Sequence, residues 1–307
     1  MKVLVPGISG FVGKAVQNEL LSAGHEVIGM IRSEKDRRWL DPKITVVIGD
    51  LTETATLADK LPDFDACIYL PGLLREFPQK GISFQRVHAD GVRDLIEVAR
   101  EKSATRWVQM SALGVGRGVS TGYYDTKLQG ETLVKASGLH WTIFRPSVVF
   151  SEQYDPRPNF VSELGNVIRQ SPVIPVFGDG KYRLQPVSLD VLARAMVASL
   201  TMPATYGKTF EVGGPEKLAY RDILRTIAAA QGMSKKPIVS LPFGPFKFLA
   251  SLFDKYPFFP VTQGQLAMLE NENVVEDPSL DRDFEQTFSS ERKLFTDGVR
   301  GFFASKK

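Results

Sequence analysis

Short apolar runs alternate along the first half of the chain with longer amphipathic stretches. Val3 to Val5 breaks at Pro6-Gly7, and the pairs Phe11/Val12, Ala15/Val16 and Leu20/Leu21 then recur at helical spacing, with Gly24 placed as a C-cap. His25 to Ile31 reads as a second strand and Ile44 to Ile48 as a third, followed by a short helix through about Lys60. Asp65 to Leu70 makes a fourth strand, stopped by Pro71-Gly72. Val87, Gly91, Leu95 and Val98, adjoined by Val92, Ile96 and Ala99, form one face of a long amphipathic helix that precedes strand Arg106 to Met110. Connections of this length cannot be hairpins. The pattern predicts an α/β fold, a doubly wound parallel sheet with helices on both faces.

Beyond Phe150 the regularity changes. Ser151 to Pro158 reads as a loop, Phe160 to Gln170 as a helix, and Pro172 to Gln185 as an irregular stretch with a turn at Gly178-Asp179-Gly180. Val187 to Asp190 opens another helix, capped by Ser188. Lys208 to Val212 reads as a strand returning to the main sheet, and Tyr220 to Gln231 as the helix after it. Residues 1–150, completed by elements near 186–214, are thus expected to form the larger domain. Residues 151–307 then mostly form a smaller carboxyl-terminal substrate lobe.

The segment Leu241 to Pro260 is rich in aromatics: Phe243, Phe246, Phe248, Phe253, Tyr256, Phe258 and Phe259. Two readings stay open. In the preferred one an aromatic helix packs on the second lobe; in the other an exposed apolar surface, with Lys247 and Lys255, meets a membrane interface, a quinone-like substrate or a partner protein. Ser290 to Ala304 reads as an amphipathic helix carrying Leu294, Val299, Phe302 and Phe303.

The first turn is where chemistry enters. Glycines at 7, 10 and 13 stand after a strand and before a helix, in the order G-x-x-G-x-x-G. Gly7 permits the turn, Gly10 leaves room for phosphates, and Gly13 lets the helix lie close to the strand. Unpaired amides at the helix start then face a diphosphate. An ordinary strand-to-helix turn is the alternative, and dinucleotide binding by Gly7, Ser9, Gly10, Phe11, Val12 and Gly13 is preferred. At the end of the second strand stands Arg32, followed by Lys35, Arg37 and Arg38, where an acid would suit a ribose hydroxyl and a cation a ribose phosphate. NADP is therefore favoured over NAD, against the alternative of a solvated charged loop. Asp50, beside Leu51, lies at a strand end near the expected adenine. Leu70 and Gly72 mark where a further strand end approaches the cofactor.

Ser111 ends a strand, and Tyr123 and Lys127 lie one helical turn apart, so they share a face. An ammonium nearby favours phenolate, which would lower the tyrosine pKa and make Tyr123 a usable proton donor or acceptor. Such a pair also occurs by chance in many helices. Ser111 is expected to hold a substrate carbonyl or hydroxyl.

Composition narrows the classes. The chain has 307 residues with 43% hydrophobic and 24% charged residues, an ordinary globular composition. A net charge of +3 is too small to imply nucleic acid as main partner. The single cysteine, Cys67, lies in an apolar run, is expected in the core, and fits a reducing compartment. No signal-peptide pattern or membrane-spanning run is present, so a cytoplasmic protein, in peripheral membrane contact at most, is expected. His25, His88 and His140 are scattered without clustered ligands, so no metal is expected.

The sequence resembles the extended short-chain dehydrogenase/reductases of the atypical, epimerase/dehydratase-like kind. Within them it is most similar to the subgroup related to the nucleotide-binding accessory subunit of respiratory complex I. The matching residues are GISGFVG at Gly7 to Gly13, GDL at Gly49 to Leu51 and MSALG at Met110 to Gly114. They continue with the tyrosine-lysine pair, TIFRPSVVF from Thr142 to Phe150 and VGGPE from Val212 to Glu216, and a late match runs over Val261 to Leu266 and Asn273 to Val275. The resemblance implies a nicotinamide dinucleotide along the strands' carboxyl edge. Tyr123 would be catalytic acid or base, Lys127 would bind the nicotinamide ribose and tune it, Ser111 would orient the reacting oxygen, and Pro146 to Val148 would flank the nicotinamide. One departure is that Ser111 and Tyr123 are only twelve positions apart, fewer than in typical extended members. The expectation is an NADP-dependent oxidoreductase acting on a carbonyl or alcohol of a small molecule. The competing class is a nucleotide-bound, catalytically silent structural or assembly factor of a respiratory or quinone-synthesis complex, and a redox-sensing regulator is a third.

Overall fold

A computed structural model describes residues 1–51, 57–253, 262–289, 291 and 293–306, without the side chains of 249–253. Its centre is a seven-stranded sheet of β1 (Lys2–Pro6), β2 (Glu26–Ile31), β3 (Thr45–Ile48), β4 (Ala66–Tyr69), β5 (Arg106–Met110), β6 (His140–Pro146) and β7 (Lys208–Val212). The strand order is β7-β6-β5-β4-β1-β2-β3, and every neighbouring pair is parallel. The order reverses at β1, whose two neighbours, β2 and β4, lead their chains away to opposite sides. This order predicts a crevice beyond the carboxyl ends of β1 and β4, where open parallel sheets bind their ligands.

Both faces of the sheet are covered, which is why its strands are apolar almost throughout. Helix α1 (Phe11–Ser22) and the helix Leu189–Ala198 bury Val16, Leu20, Leu192 and Met196 on one face with Val3, Val5 and Ile68. Helix α2 (Gly91–Glu101) buries Val92, Leu95, Ile96 and Val98 on the other, with Leu4, Cys67 and Trp107. Gly24 ends α1 at φ +74, and the His25 amide reaches back to the Leu20 carbonyl at 3.0 Å, the bond pattern of a glycine-terminated helix.

Three expectations change. The long helix does not begin as an α-helix: Arg86–Asp90 forms a π turn before α2, and its His88 carbonyl abuts Gly130, where an added Cβ would sit 2.2 Å from that oxygen. The stretch Pro172 to Gln185 holds a strand, Ile174–Phe177, which pairs with Ile238–Leu241. Its partner lies some sixty residues on, so local sequence carried no sign of the pairing. Ser188 stands at the N-cap of its helix without a side-chain cap, because it pairs with Phe150 in a short two-stranded sheet.

The second lobe has its own core, built from the helices Phe160–Gln170, Tyr220–Ala230 and Phe295–Ala304 around Val161, Ile168, Ile223, Ile227 and Phe302. The aromatic segment begins as helix Phe243–Phe253. Phe246 packs edge-on against Phe177 with centroids 5.2 Å apart, whereas Phe248 is 66% exposed. The Phe253 side chain, Tyr256, Phe258, Phe259, Val261, Ser290 and the segment 52–56 after β3 lie outside the described residues. Among the described residues, no helix is long and apolar enough to cross a membrane.

Candidate active site

The crevice is built first from backbone. Gly7 follows β1 at φ +78, and a Cβ there would lie 3.3 Å from the Pro71 nitrogen at the end of β4, so the two strand ends approach as only a glycine permits. At Gly13 an added Cβ would stand 2.2 Å from the Ile8 carbonyl oxygen, which explains the tight seat of α1 on the turn. The first intrahelical bond runs from the Lys14 amide to Gly10. The amides of Phe11, Val12 and Gly13 therefore have no acceptor within the helix and stand at its positive end. This cradle, closed to side chains and lined with amides, fits a dinucleotide diphosphate. Most of the other expected residues lie at or just beyond the carboxyl ends of the sheet strands. Ser9 lies within the turn, Arg32 is exposed at the end of β2, and Asp50 and buried Leu51 follow β3. Leu70 and Gly72 follow β4, Pro146 ends β6, and Val148 packs against the second-lobe core.

The other end of the crevice is made of buried side chains. Tyr123 and Lys127 sit on helix α3 (Gly122–Lys135), whose first turn is capped by Thr121 accepting from the Tyr124 amide at 3.1 Å. Lys127, 4% exposed, donates from Nζ to the Met110 carbonyl at 3.1 Å and to the Pro71 carbonyl at 3.3 Å. It thereby spans the ends of β4 and β5 over Gly72, where a Cβ would meet Nζ at 3.3 Å. Burial brings its pKa down to about 8, against the pull of Glu131 one turn on.

Tyr123 departs from expectation in its electrostatics. Burial, with Tyr124 beside it, raises the phenol above its ordinary value instead of lowering it. The ammonium of Lys127 is directed at two carbonyls, and loss of water around the ring outweighs it. The protonated phenol is the form this environment favours.

Sequence reasoning placed His88 among scattered histidines, yet it is central here. It is 1% exposed, and its Nε2 accepts from the Leu73 amide at 3.0 Å, which assigns the ring proton to Nδ1. Nδ1 lies 3.0 Å from the Thr126 hydroxyl, which itself donates to the Gly122 carbonyl at 2.6 Å. The ring stands edge-on to Tyr123 at 5.4 Å and 89°. Burial and the Lys127 charge hold its pKa down to about 2, so it is neutral. His88 thus joins the segment after β4 to the helix that carries Tyr123 and Lys127. The π turn delivers it, and no periodicity in the sequence signals a π turn.

Ser111 follows β5 but is 2% exposed, and its hydroxyl donates to Glu131 at 2.6 Å. Glu131, fully buried, also accepts from Arg145 Nε at 2.8 Å and Nη2 at 2.7 Å. Arg145 lies 3.8 Å from Glu211, which accepts from Arg117. Four charges thus alternate in sign under the site. The spacing of Lys127, Glu131 and Lys135 was visible in the sequence, but the opposing Arg145 and Glu211 come from β6 and β7, which the chain brings together only on folding.

Residues 7–173 match a protein family described as NAD(P)H-binding. The chain is 22% identical over 277 residues to the NADH-ubiquinone oxidoreductase 40 kDa subunit of Neurospora crassa, covering 89% of this chain and 71% of that protein. It is 26% identical over 242 residues to a ceramide reductase of Caulobacter vibrioides, covering 78% and 73%. The fold matches that of UDP-glucuronic acid 4-epimerase from Bacillus cereus, solved with UDP-glucuronic acid and NAD, with a TM-score of 0.74 at 18% identity over 99% of this chain and 98% of that one.

Proposed function

Because this chain belongs to the NAD(P)H-binding family, we propose that it is a nicotinamide-dependent oxidoreductase that interconverts a carbonyl and an alcohol, with NADP preferred over NAD. The observation that carries this reading is the position of Lys127, whose ammonium bridges the carbonyls of Pro71 and Met110 on the same sheet edge as the glycine turn. An acid/base pair and a diphosphate cradle thus share one crevice.

In this reading Gly7, Ser9, Gly10, Phe11, Val12 and Gly13 hold the diphosphate, Arg32 faces the ribose phosphate, and Asp50 and Leu51 border the adenine. Leu70, Gly72, Pro146 and Val148 flank the nicotinamide, which when bound supplies or accepts hydride. Tyr123, held as the phenol, gives its proton to a forming alkoxide, and Lys127 stabilises the phenolate so formed, which takes the proton back when the reaction runs in reverse. Ser111, whose own proton goes to Glu131, offers lone pairs to a substrate hydroxyl. The ceramide reductase relative makes a ceramide-type lipid a natural member of any substrate panel.

A second reading, a nucleotide-bound subunit without turnover, is supported by the extended similarity to the Neurospora crassa 40 kDa subunit. Exposed Phe248 would give such a subunit a contact point on a partner or membrane. Titration calorimetry with NADPH and NADH, followed by NADPH consumption over a panel of small and long-chain carbonyls, separates the readings. The first expects tighter NADPH binding, and a Tyr123→Phe variant that keeps it while losing about 10²- to 10⁴-fold in turnover. NADPH binding without consumption of any carbonyl, and no effect of Tyr123→Phe, would select the second.

A further inference from the structure

One buried cation near the glycine turn comes from the other lobe. Arg157 stands in the loop that leaves β6 for the second lobe and is 8% exposed. Its Nη1 donates to the Gly10 carbonyl at 3.0 Å and to the Ser9 carbonyl at 3.3 Å. Nε donates to Asp155 at 2.7 Å, and Nη2 pairs with the other carboxylate oxygen. The guanidinium also lies 5.4 Å from the Trp39 ring centroid, and Arg38 packs on the same ring at 4.8 Å. Trp39 is anchored in turn by fully buried Gln17 on α1, which donates to the Trp39 carbonyl at 3.0 Å and accepts from the Asp41 amide at 3.1 Å. The loop after β2, the glycine turn and the second lobe therefore meet on Arg157.

What Arg157 grips matters more than its charge. No cis peptide occurs among the described residues, so the Phe11 N–H points opposite to the Gly10 carbonyl within one planar unit. That carbonyl already accepts from the Lys14 amide, and a second, cationic donor on it holds the plane more firmly and strengthens the Phe11 amide as a donor through the shared polarisation of the peptide. Phe11 is the first of the amides left without an acceptor in the helix. Asp155 meanwhile occupies the rest of the guanidinium, setting its orientation and cancelling its charge.

We propose that Arg157 is a positioning residue for the dinucleotide diphosphate, acting through the Gly10–Phe11 peptide and thereby tying cofactor affinity to the loop that enters the second lobe. The proposal rests on the reading that the glycine turn holds a dinucleotide. Calorimetry on the full-length protein tests it with NADPH, ADP-ribose and AMP. Failure of the wild-type protein to bind NADPH or NADH would overturn the cofactor reading itself, whatever Arg157 does. With wild-type binding in hand, Arg157→Ala is expected to weaken NADPH and ADP-ribose about tenfold and leave AMP, which has no diphosphate, unchanged. Asp155→Asn is expected to weaken the same two ligands, because it releases the fork from its orientation. Tighter binding by Asp155→Asn would identify Arg157 as a direct phosphate ligand and overturn positioning, and so would unchanged NADPH affinity in Arg157→Ala. The amide resonance of Phe11 gives a readout that general destabilisation does not select. It should shift in Arg157→Ala, and in Arg157→Lys should the alanine variant fail to fold, whereas an unmoved resonance would sink the proposal.

Discussion

At the glycine-turn end of the crevice the polar groups at the helix start are backbone amides, and glycines keep side chains off them. At the Tyr123 end the backbone groups are already consumed, by Lys127 on two strand-end carbonyls and by His88 on the Leu73 amide, and buried side chains make up the surface. The first end depends on the absence of atoms and the second on a chain of ionic and hydrogen-bonded partners. Damage at the two ends should therefore look different. Adding an atom harms the first, while removing one harms the second by leaving its neighbours unpaired.

The largest effect is expected at Glu131. Replacing it by alanine leaves Arg145 with one distant carboxylate and strips the Ser111 hydroxyl of its acceptor. Loss of one partner of a buried ion pair costs about 3 to 5 kcal/mol, to be read by chemical denaturation. A cost below about 1 kcal/mol would show that the charges under Tyr123 are solvated in practice, and the contrast between the two ends would weaken. Next comes Gly13→Ala, whose methyl group would meet the Ile8 carbonyl at 2.2 Å. The turn must shift, at about 1 to 3 kcal/mol, and NADPH affinity should fall with it while the environment of Tyr123 is kept.

The smallest of these concerns pH. His88 is held at about 2 in the fold from an ordinary value of 6.5, so between those limits the unfolded chain binds the extra proton. Stability from this residue is whole above about pH 6.5 and falls as pH is lowered, by up to about 1.4 kcal/mol per pH unit. His88→Gln, which cannot titrate, should flatten the stability profile between pH 6.5 and 5 measured by denaturant midpoints. A profile identical to that of the wild-type protein would mean that His88 takes up a proton in the fold as readily as when unfolded.

Much of the fold could be read along the chain. Strand Arg106–Met110, helix Phe160–Gln170 and strand Lys208–Val212 lie where periodicity placed them. The spacing of Gly7, Gly10 and Gly13 likewise announced the turn. These features are local: a strand or a turn declares itself through neighbours in sequence, because its own alternation or backbone freedom is its cause. Tyr123 and Lys127 were visible for the same reason, being one turn apart on a helix.

Their surroundings were not visible. The π turn that aims His88 at Tyr123, the seating of Gly130 on the His88 carbonyl, the partnership of Glu131 with Arg145 and the reach of Arg157 to Gly10 all join residues far apart in the chain. Even the pKa of Tyr123 moved opposite to what its near neighbour Lys127 suggested, because desolvation is a property of everything packed around a group and not of the next turn of its helix. The sequence by itself determined most elements of the main sheet and its flanking helices, the parallel run of its strands and the glycine spacing of the turn. Only the tertiary structure decided which charges are paired, which protons are held and where the second lobe touches the first, since those quantities depend on distance in space and on the exclusion of water.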